Sequence, residues 1–228
     1  MSSLQTAIQN LAKVVVEKSL STATIRLVGL GSGSTVSFIV KEIGKLANKN
    51  YWEFLPTSLQ IKLEAEKSGL RIADDSHAPE IDILFDGADQ IDSQLYMIKG
   101  GGGALLREKI LIYAAKKIVI VADSSKFVKV LTRPVPIEIH PFARNFVSKK
   151  LSSIGGQVKL RTMEKGYPYI TENGNLILDT ELGEFSDVKM KEAELKNIPG
   201  VLEVGLFTRR ADVYYKSKGD GSFEIITT

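Results

Sequence analysis

Four consecutive glycines, Gly100, Gly101, Gly102 and Gly103, interrupt the stretch IDILFDGADQIDSQLYMIKGGGGALLREKI over residues 81–110. Glycine loses more backbone freedom on ordering than any other residue. A run of four is therefore costly in a folded segment unless the chain bends sharply there or meets a ligand closely. The same stretch holds three carboxylates, Asp86, Asp89 and Glu108, and one lysine, Lys99. Apolar runs on either side fix where these polar groups emerge, so the segment reads as strand, turn and helix with chemistry concentrated at the turns.

The rest of the chain shows what kind of scaffold holds that segment. A short apolar run over 25–30 ends in GLGSGST, and helical periodicity resumes over 36–46. Strand, Gly/Ser turn and helix in that order make a βα unit of a nucleotide- or phosphate-binding sheet. An amphipathic helix precedes it, with Leu4, Ile8, Leu11, Val15 and Leu20 at helical spacing. Strand-like runs recur at 52–55, 71–73, 81–85 and 117–122, separated by helical stretches at 59–68 and 104–115. This alternation predicts a mostly parallel, Rossmann-like sheet covered by helices.

The pattern changes near Leu131. TRPVPIEIHP contains three of the seven prolines, and a helix is expected after it over 142–153, followed by a Gly155–Gly156 break. Strands are expected over 157–161 and 167–171, then an Asn173–Gly174 turn, which is a strong hairpin signal, and a strand over 175–179. A helix over 187–196 and a strand over 201–207 complete a smaller α+β domain with an antiparallel sheet and two helices. The last residues, 211–228, alternate strand and turn and can rejoin the first sheet. The expected division is 1–131 plus 207–228 for a catalytic domain and 132–206 for a lid or oligomerisation domain.

Composition narrows the function classes. With 228 residues, 43% hydrophobic and 25% charged, the chain has the make-up of a globular protein with a substantial core. The net charge of +3 is spread along the chain, without the basic stripe of a nucleic-acid binder. The absence of cysteine excludes disulfides, thiolate catalysis and zinc–thiolate sites, and only His77 and His140 offer imidazoles. No apolar run approaches the ~20 residues of a membrane span. The opening MSSLQTAIQNLAKVVVEKS lacks the uninterrupted apolar core of a signal peptide, so a cytoplasmic location is expected.

Each motif carries more than one reading. GLGSGST presents backbone N–H groups and hydroxyls at a helix N-terminus, which favours a phosphate or other oxyanion; the alternative is a tight turn with a Ser/Thr cap. It is not a P-loop, because no Gly-Lys-Ser/Thr follows at the required spacing, and it is not GxGxxG, because position 36 is valine. Asp86 and Asp89 end a buried strand and emerge at the carboxyl edge, where open α/β sheets bind ligands. Two neighbouring carboxylates suit acid–base work. The alternatives are a turn-capping Asp86 with solvated Asp89 and Asp92, or a magnesium site. Lys99 is placed to stabilise an oxyanion and Glu108 to act as general base, or else Glu108 pairs with Arg107 or Lys109 at the surface. Lys126, at the end of ADSSK, is either a phosphate contact or a solvated lysine. Together these groups point to proton transfer on a phosphorylated carbonyl compound, with no cofactor and no metal expected.

At these residues the chain closely resembles the ribose-5-phosphate isomerases of type A. The resemblance runs nearly end to end: GSGST, PTS (56–58), DGAD, MIKGGGGALLREK, ADSSK, PVPIEI, TENGNLILD and IPGVLEVGLF (198–207). It implies a cofactor-independent aldose–ketose isomerase of the non-oxidative pentose phosphate pathway, with a Rossmann-like domain and a smaller α+β domain. It also implies a homodimer or homotetramer. By motif, Glu108 becomes the base that shuttles a proton between C1 and C2, and Asp86 assists ring opening. Asp89 and Lys99 handle the oxygens of the open chain and the enediolate. Gly31, Ser32, Gly33, Ser34, Thr35, Lys126 and the backbone of Gly100, Gly101, Gly102 and Gly103 bind the substrate. Many relatives have glutamate where this chain has Gln90. The first-helix lysines of some relatives have no counterpart at Gln9 and Asn10, with Lys13 one turn on, so no phosphate contact is carried over there.

Two other classes share parts of this pattern. Sugar-phosphate sensor domains of transcription regulators have a similar fold and acidic strand end, but normally follow a helix-turn-helix. About two dozen residues precede the first strand here, too few for one. Acyl-CoA transferase halves use a related sheet with a glutamate nucleophile. Lys99 and Glu108 together in the KGGGG…REK frame favour the isomerase over both.

Overall fold

The computed structural model describes residues 3–21, 24–74 and 80–228; His77 lies outside them. The chain divides into two compact units. The first comprises Met1–Ala88, Arg107–Lys126 and Ala211–Thr228, and the second Asp89–Leu106 and Phe127–Arg210. Residues 89–106 thus fall in the second unit rather than the first, because Met97–Ile98 forms strand pairs with Leu206–Phe207. Long-range pairing, invisible to local periodicity, draws that segment across.

The first unit is built on a six-stranded sheet. Its strands are β1 (Leu27–Leu30), β2 (Glu53–Pro56), β3 (Ile81–Asp86), β6 (Ala115–Asp123), β12 (Val213–Ser217) and β13 (Phe223–Thr227), in the spatial order β13-β12-β6-β3-β1-β2. All neighbours are parallel except β13, which is antiparallel to β12. The C-terminal residues do rejoin the first sheet. The chain moves outward from β1 to β2 and then returns to the other side of β1 with β3, which puts the topological switch point between β1 and β3. Helices α1 (Ser3–Ser19), α2 (Ser34–Gly44) and α3 (Leu59–Lys67) supply apolar side chains to the core. Val15, Ile39, Ile43 and Ile61 pack there with Val28, Phe54, Ile83 and Phe85 of the strands. Residues 71–73 make a single bridge, Ile72 to Phe54, rather than a strand: only Ile72 and Ala73 are apolar, and charged residues flank them.

The second unit carries two antiparallel sheets. One has four strands in the order β10 (Val201–Val204), β7 (Val135–Ile139), β9 (Leu176–Glu181) and β8 (Gln157–Leu160). The other has three, β11 (Leu206–Phe207), β5 (Met97–Ile98) and β4 (Gln90–Ile91). The two expected helices are α5 (Arg144–Ser153) and α6 (Val188–Lys196). Helix α5 is preceded by a separate 3-10 turn, Pro141–Ala143, whose cap is the His140 imidazole accepting from the Phe142 N–H. The run over 201–207 is two strands in different sheets, broken at Gly205. A Cβ at Gly205 would stand 2.5 Å from the Lys99 carbonyl oxygen and 2.7 Å from Pro136 Cδ, so only glycine passes between them. The expected strand over 167–171 is reduced to single bridges, Thr162 to Pro168 and Ile170 to Leu176. Pro168 has no N–H to continue a ladder.

Two buried polar residues organise this unit. The fully buried Glu138 accepts at Oε1 from Thr171 Oγ1 (2.9 Å), Asn173 Nδ2 (3.1 Å) and Asn175 Nδ2 (2.8 Å), which pins the Asn173–Gly174 turn. Gln90, buried, accepts at Oε1 from the N–H groups of Thr132 (2.8 Å) and Arg133 (3.0 Å) and donates to Thr132 Oγ1 (3.0 Å). A glutamate would keep the acceptor and lose the donor.

Asp92, one of the carboxylates for which solvation was an open reading, is buried. It accepts from the N–H groups of Gln94 and Tyr96 (2.9 Å each) and closes a turn in which Leu95 takes a φ of 67°. Burial, the largest cause, holds its carboxyl above the ordinary 3.8, against those N–H groups and the charge of Arg210. A raised pKa means the folded state binds the proton more readily than the unfolded chain. The stability Asp92 contributes is therefore present below pH 3.8 and lost as pH rises through the folded value. Asp92→Asn keeps an acceptor for both N–H groups. It is expected to melt above the parent at pH 7, with the advantage shrinking toward pH 4 and below, as thermal melts at several pH values will show.

Candidate active site

In the first unit, the carboxyl ends of β1 and β3 lie side by side. Gly31 follows β1, and its N–H donates to the Phe85 carbonyl (2.8 Å). Asp86 ends β3 fully buried, with Oδ1 accepting the Gly87 N–H at 2.7 Å. A Cβ at Gly31 would stand 1.9 Å from Asp86 Oδ1, so the carboxylate occupies the space a side chain would need. At Gly87 a Cβ would make only ordinary contacts, 3.7 Å from the Val121 carbonyl and 3.8 Å from Thr35 Cβ. The missing side chain of Gly31 thus lets an acidic strand end press against the Gly/Ser turn.

That turn leads into α2 with Gly33 as N-cap at a φ of 92°, and no side chain caps the helix. The Ser/Thr-cap reading of the motif gives way here to a glycine cap, which leaves the helix terminus to other acceptors. Ser32 Oγ pairs with Thr57 Oγ1 at 2.7 Å, and the Gly33 N–H donates to Gln60 Oε1 at 3.2 Å. Ser34 is exposed and Thr35 half-buried. Thr57, buried under the turn, and Gln60 on α3 were not among the expected site residues. The PTS motif was the signal for Thr57; nothing local marks Gln60. Glu108 is buried in the first turn of α4 (Leu105–Ala114), where a carboxylate is favoured by the helix dipole. The reading of Glu108 as a surface ion-pair partner does not hold. Lys126 ends the 3-10 turn Ser124–Lys126 after β6 and is half-buried.

In the second unit, Asp89 and the glycine run come together. Asp89 Oδ2 accepts the Gly101 N–H at 2.7 Å, and a Cβ at Gly101 would approach the same oxygens within 3.0 Å. Arg133 donates to the Asp89 carbonyl (3.1 Å), so the residue is held from both ends. Lys99 is buried; its N–H donates to the Gly205 carbonyl (3.0 Å), and its ammonium lies 5.6 Å from the Phe207 ring centroid. Gly100 and Gly103 have φ of 99° and 86°, a left-handed backbone that explains two of the four glycines. The turn is gripped by two residues that local sequence reasoning did not find. Arg161 donates to the Gly100 and Gly101 carbonyls (2.8 and 3.2 Å), and the Tyr169 hydroxyl donates to the Gly102 carbonyl (3.1 Å).

An open, mostly parallel sheet that presents a buried aspartate and a Gly/Ser turn at its switch point defines a ligand-binding protein of the α/β class. The family model described as ribose 5-phosphate isomerase A (phosphoriboisomerase A) matches residues 53–221. A ribose-5-phosphate isomerase A of Methanosarcina acetivorans is 44% identical over 204 residues, covering 88% of this chain and 87% of the relative. The solved ribose 5-phosphate isomerase A of Methanocaldococcus jannaschii superposes with a TM-score of 0.89 at 33% identity, covering 98% of this chain and 99% of the other. A D-ribose-5-phosphate isomerase solved in complex with phospho-erythronic acid superposes with a TM-score of 0.89 at 33% identity, covering 97% and 98%. This chain belongs to the ribose 5-phosphate isomerase A family, whose reaction interconverts ribose 5-phosphate and ribulose 5-phosphate.

The packing of Asp86 on Gly31 gives a direct check. Gly31→Ala forces the carboxylate to move by an ångström or more, and misplacement on that scale costs on the order of 10²-fold in rate. The variant is expected to keep its circular dichroism spectrum and lose isomerase turnover by about that factor.

Proposed function

We propose that this chain interconverts D-ribose 5-phosphate and D-ribulose 5-phosphate by moving one proton between C2 and C1 through an enediolate. The observation that carries the reading is the buried Asp86 carboxylate packed on Gly31 at the mouth of the GLGSGST turn. It sets an acid–base group beside an anion-suited helix terminus. The phosphate is taken by Gly31, Ser32, Gly33, Ser34 and Thr35 at the start of α2, with Lys126 as the cationic partner.

Asp86 takes the proton of the anomeric hydroxyl and delivers it to the ring oxygen as the C1–ring-oxygen bond breaks, giving the open-chain aldehyde with a free C4 hydroxyl and an unchanged Asp86 carboxylate. The Glu108 carboxylate then removes the C2 proton, and the electron pair moves to the aldehyde oxygen. Lys99 and the glycine-turn amides stabilise the charge that develops there. Asp89 relays the proton from O2 to O1, and protonated Glu108 returns its proton to C1, leaving a ketone at C2. Atoms and charge balance without a cofactor. The phospho-erythronic acid bound by a relative supports this reading, since its carboxylate carries negative charge where an enediolate does.

A cytoplasmic enzyme of the non-oxidative pentose phosphate pathway, assembled as a homodimer or homotetramer, fits this role. Exposed Phe142, Phe146 and Tyr167 on the second unit support assembly. Purified protein is expected to convert ribose 5-phosphate with EDTA present. Glu108→Gln is expected to lower kcat by about 10²–10⁴-fold while the fold persists, as loss of a general base implies. Near-normal turnover would remove Glu108 from that role. Lys126→Ala is expected mainly to raise KM, because a phosphate contact is made in ground and transition states alike.

A further inference from the structure

The glycine run poses a mechanical problem. A peptide unit flanked by glycines rotates easily, and rotation exchanges the directions of its carbonyl and its N–H. Amides that serve as oxyanion donors must point one way before the substrate arrives, since donors set in advance cost no reorganisation during the reaction. Something outside the run has to hold it.

The second unit contains such a grip. The Arg161 guanidinium is forked. One edge binds the Asp179 carboxylate, with Nε at 2.9 Å from Oδ2 and Nη2 bonded to Oδ1. The remaining nitrogen, Nη1, donates to the Gly100 carbonyl at 2.8 Å and the Gly101 carbonyl at 3.2 Å. Tyr169, whose ring centroid is 5.9 Å from the guanidinium carbon, donates to the third carbonyl, that of Gly102. Tyr169 also fills the space beside Gly103, where a Cβ would stand 2.3 Å from its hydroxyl. Three successive carbonyls are thus held from one side. In a trans peptide the N–H of the next residue points opposite to the carbonyl. The Gly101 N–H accordingly reaches Asp89 Oδ2, and the Gly102 N–H points away from Arg161, where Gly102 has open space around its Cβ position.

We propose that Arg161 is a positioning residue for the isomerisation: locked on Asp179, it holds the Gly100 and Gly101 carbonyls, and so keeps the Gly101 N–H on Asp89 and aims the Gly102 N–H at the substrate oxygens. This rests on the reading above that the glycine turn faces the enediolate. Lysine at this position keeps the charge but cannot span a carboxylate and two carbonyls with one rigid plane.

The test measures kcat, KM and the thermal midpoint for the parent, Arg161→Lys, Arg161→Ala and Tyr169→Phe, with ribose 5-phosphate as substrate. Arg161→Lys is expected to lose about 10–100-fold in kcat, the scale set by misplacing catalytic groups, with KM changed little and melting within a few degrees of the parent. Tyr169→Phe is expected to lose a few-fold in kcat. Methylguanidinium is expected to restore part of the kcat of Arg161→Ala and none of that of Tyr169→Phe, a response that a purely structural role would not give. An active parent whose Arg161→Lys form keeps its kcat, or loses only KM, overturns the proposal and leaves the isomerase reading intact. A parent without turnover overturns both. Should Arg161→Lys fail to fold, Asp179→Asn is measured instead, since it leaves the guanidinium in place with a weaker lock. Lowered kcat there supports the grip, and unchanged kcat overturns it.

Discussion

The parallel pairing of β1 with β3 sets the conditions for everything around it. Register brings Leu30 beside Phe85, so the next residue of each segment, Gly31 just past β1 and Asp86 at the end of β3, must share one small volume. A carboxylate fits there only because glycine supplies no Cβ. The arrangement is expensive to build from any other residue pair: a side chain at position 31 would collide, and a shorter acid is not available. The buried acid, the Gly/Ser turn and the start of α2 are therefore consequences of one crossover in chain direction, the outward step to β2 and the return to β3.

The second unit solves a different problem with the same means. Its acid, Asp89, meets the backbone of Gly101 instead of a side chain, and again the missing Cβ allows the approach. Around that contact the unit places polar anchors: buried Glu138 holds the 171–175 turn, buried Gln90 holds Thr132 and Arg133, and half-buried Asp179 holds Arg161. Glu138 takes three donors on Oε1 and Gln90 uses both ends of its amide, and multiple bonds of that kind rigidify a structure. The Glu138 cluster fixes the turn just after Tyr169, so order passes from a carboxylate in β7 to a hydroxyl on the glycine run through a few residues of chain.

Much of this was readable before any coordinates. The βα periodicity, the glycine turns, the Asn173–Gly174 turn and the return of the last strands follow from local patterns of apolar and turn residues. What escaped was long-range. Residues 71–73 and 167–171 have strand-like composition, but the first is too short and the second contains Pro168, so tertiary pairing leaves only single bridges. The run over 201–207 looks continuous, yet Gly205 changes sheets because Lys99 and Pro136 crowd it, residues far away in sequence. The candidate residues within one motif were legible by type and spacing. Arg161, Tyr169 and Gln60 were not, because their partners lie about sixty or, for Gln60, about thirty positions away, and no motif links them.

The chain passes between its two units at 88/89, 106/107, 126/127 and 210/211, so neither unit is a contiguous piece of polypeptide. That interleaving matters most during synthesis. Strand β6 gains its outer neighbour only when β12 arrives; the Ile118 N–H, for example, bonds to Asp212 Oδ2 across 94 residues of sequence. Until then the growing chain displays an open edge of Ile118, Val119, Ile120 and Val121, the kind of edge that pairs with other chains. The non-local closure that completes the sheet also slows it, since loop entropy must be met before the contacts reward it. A ribosome making this protein therefore releases an apolar strand edge long before the strand that covers it.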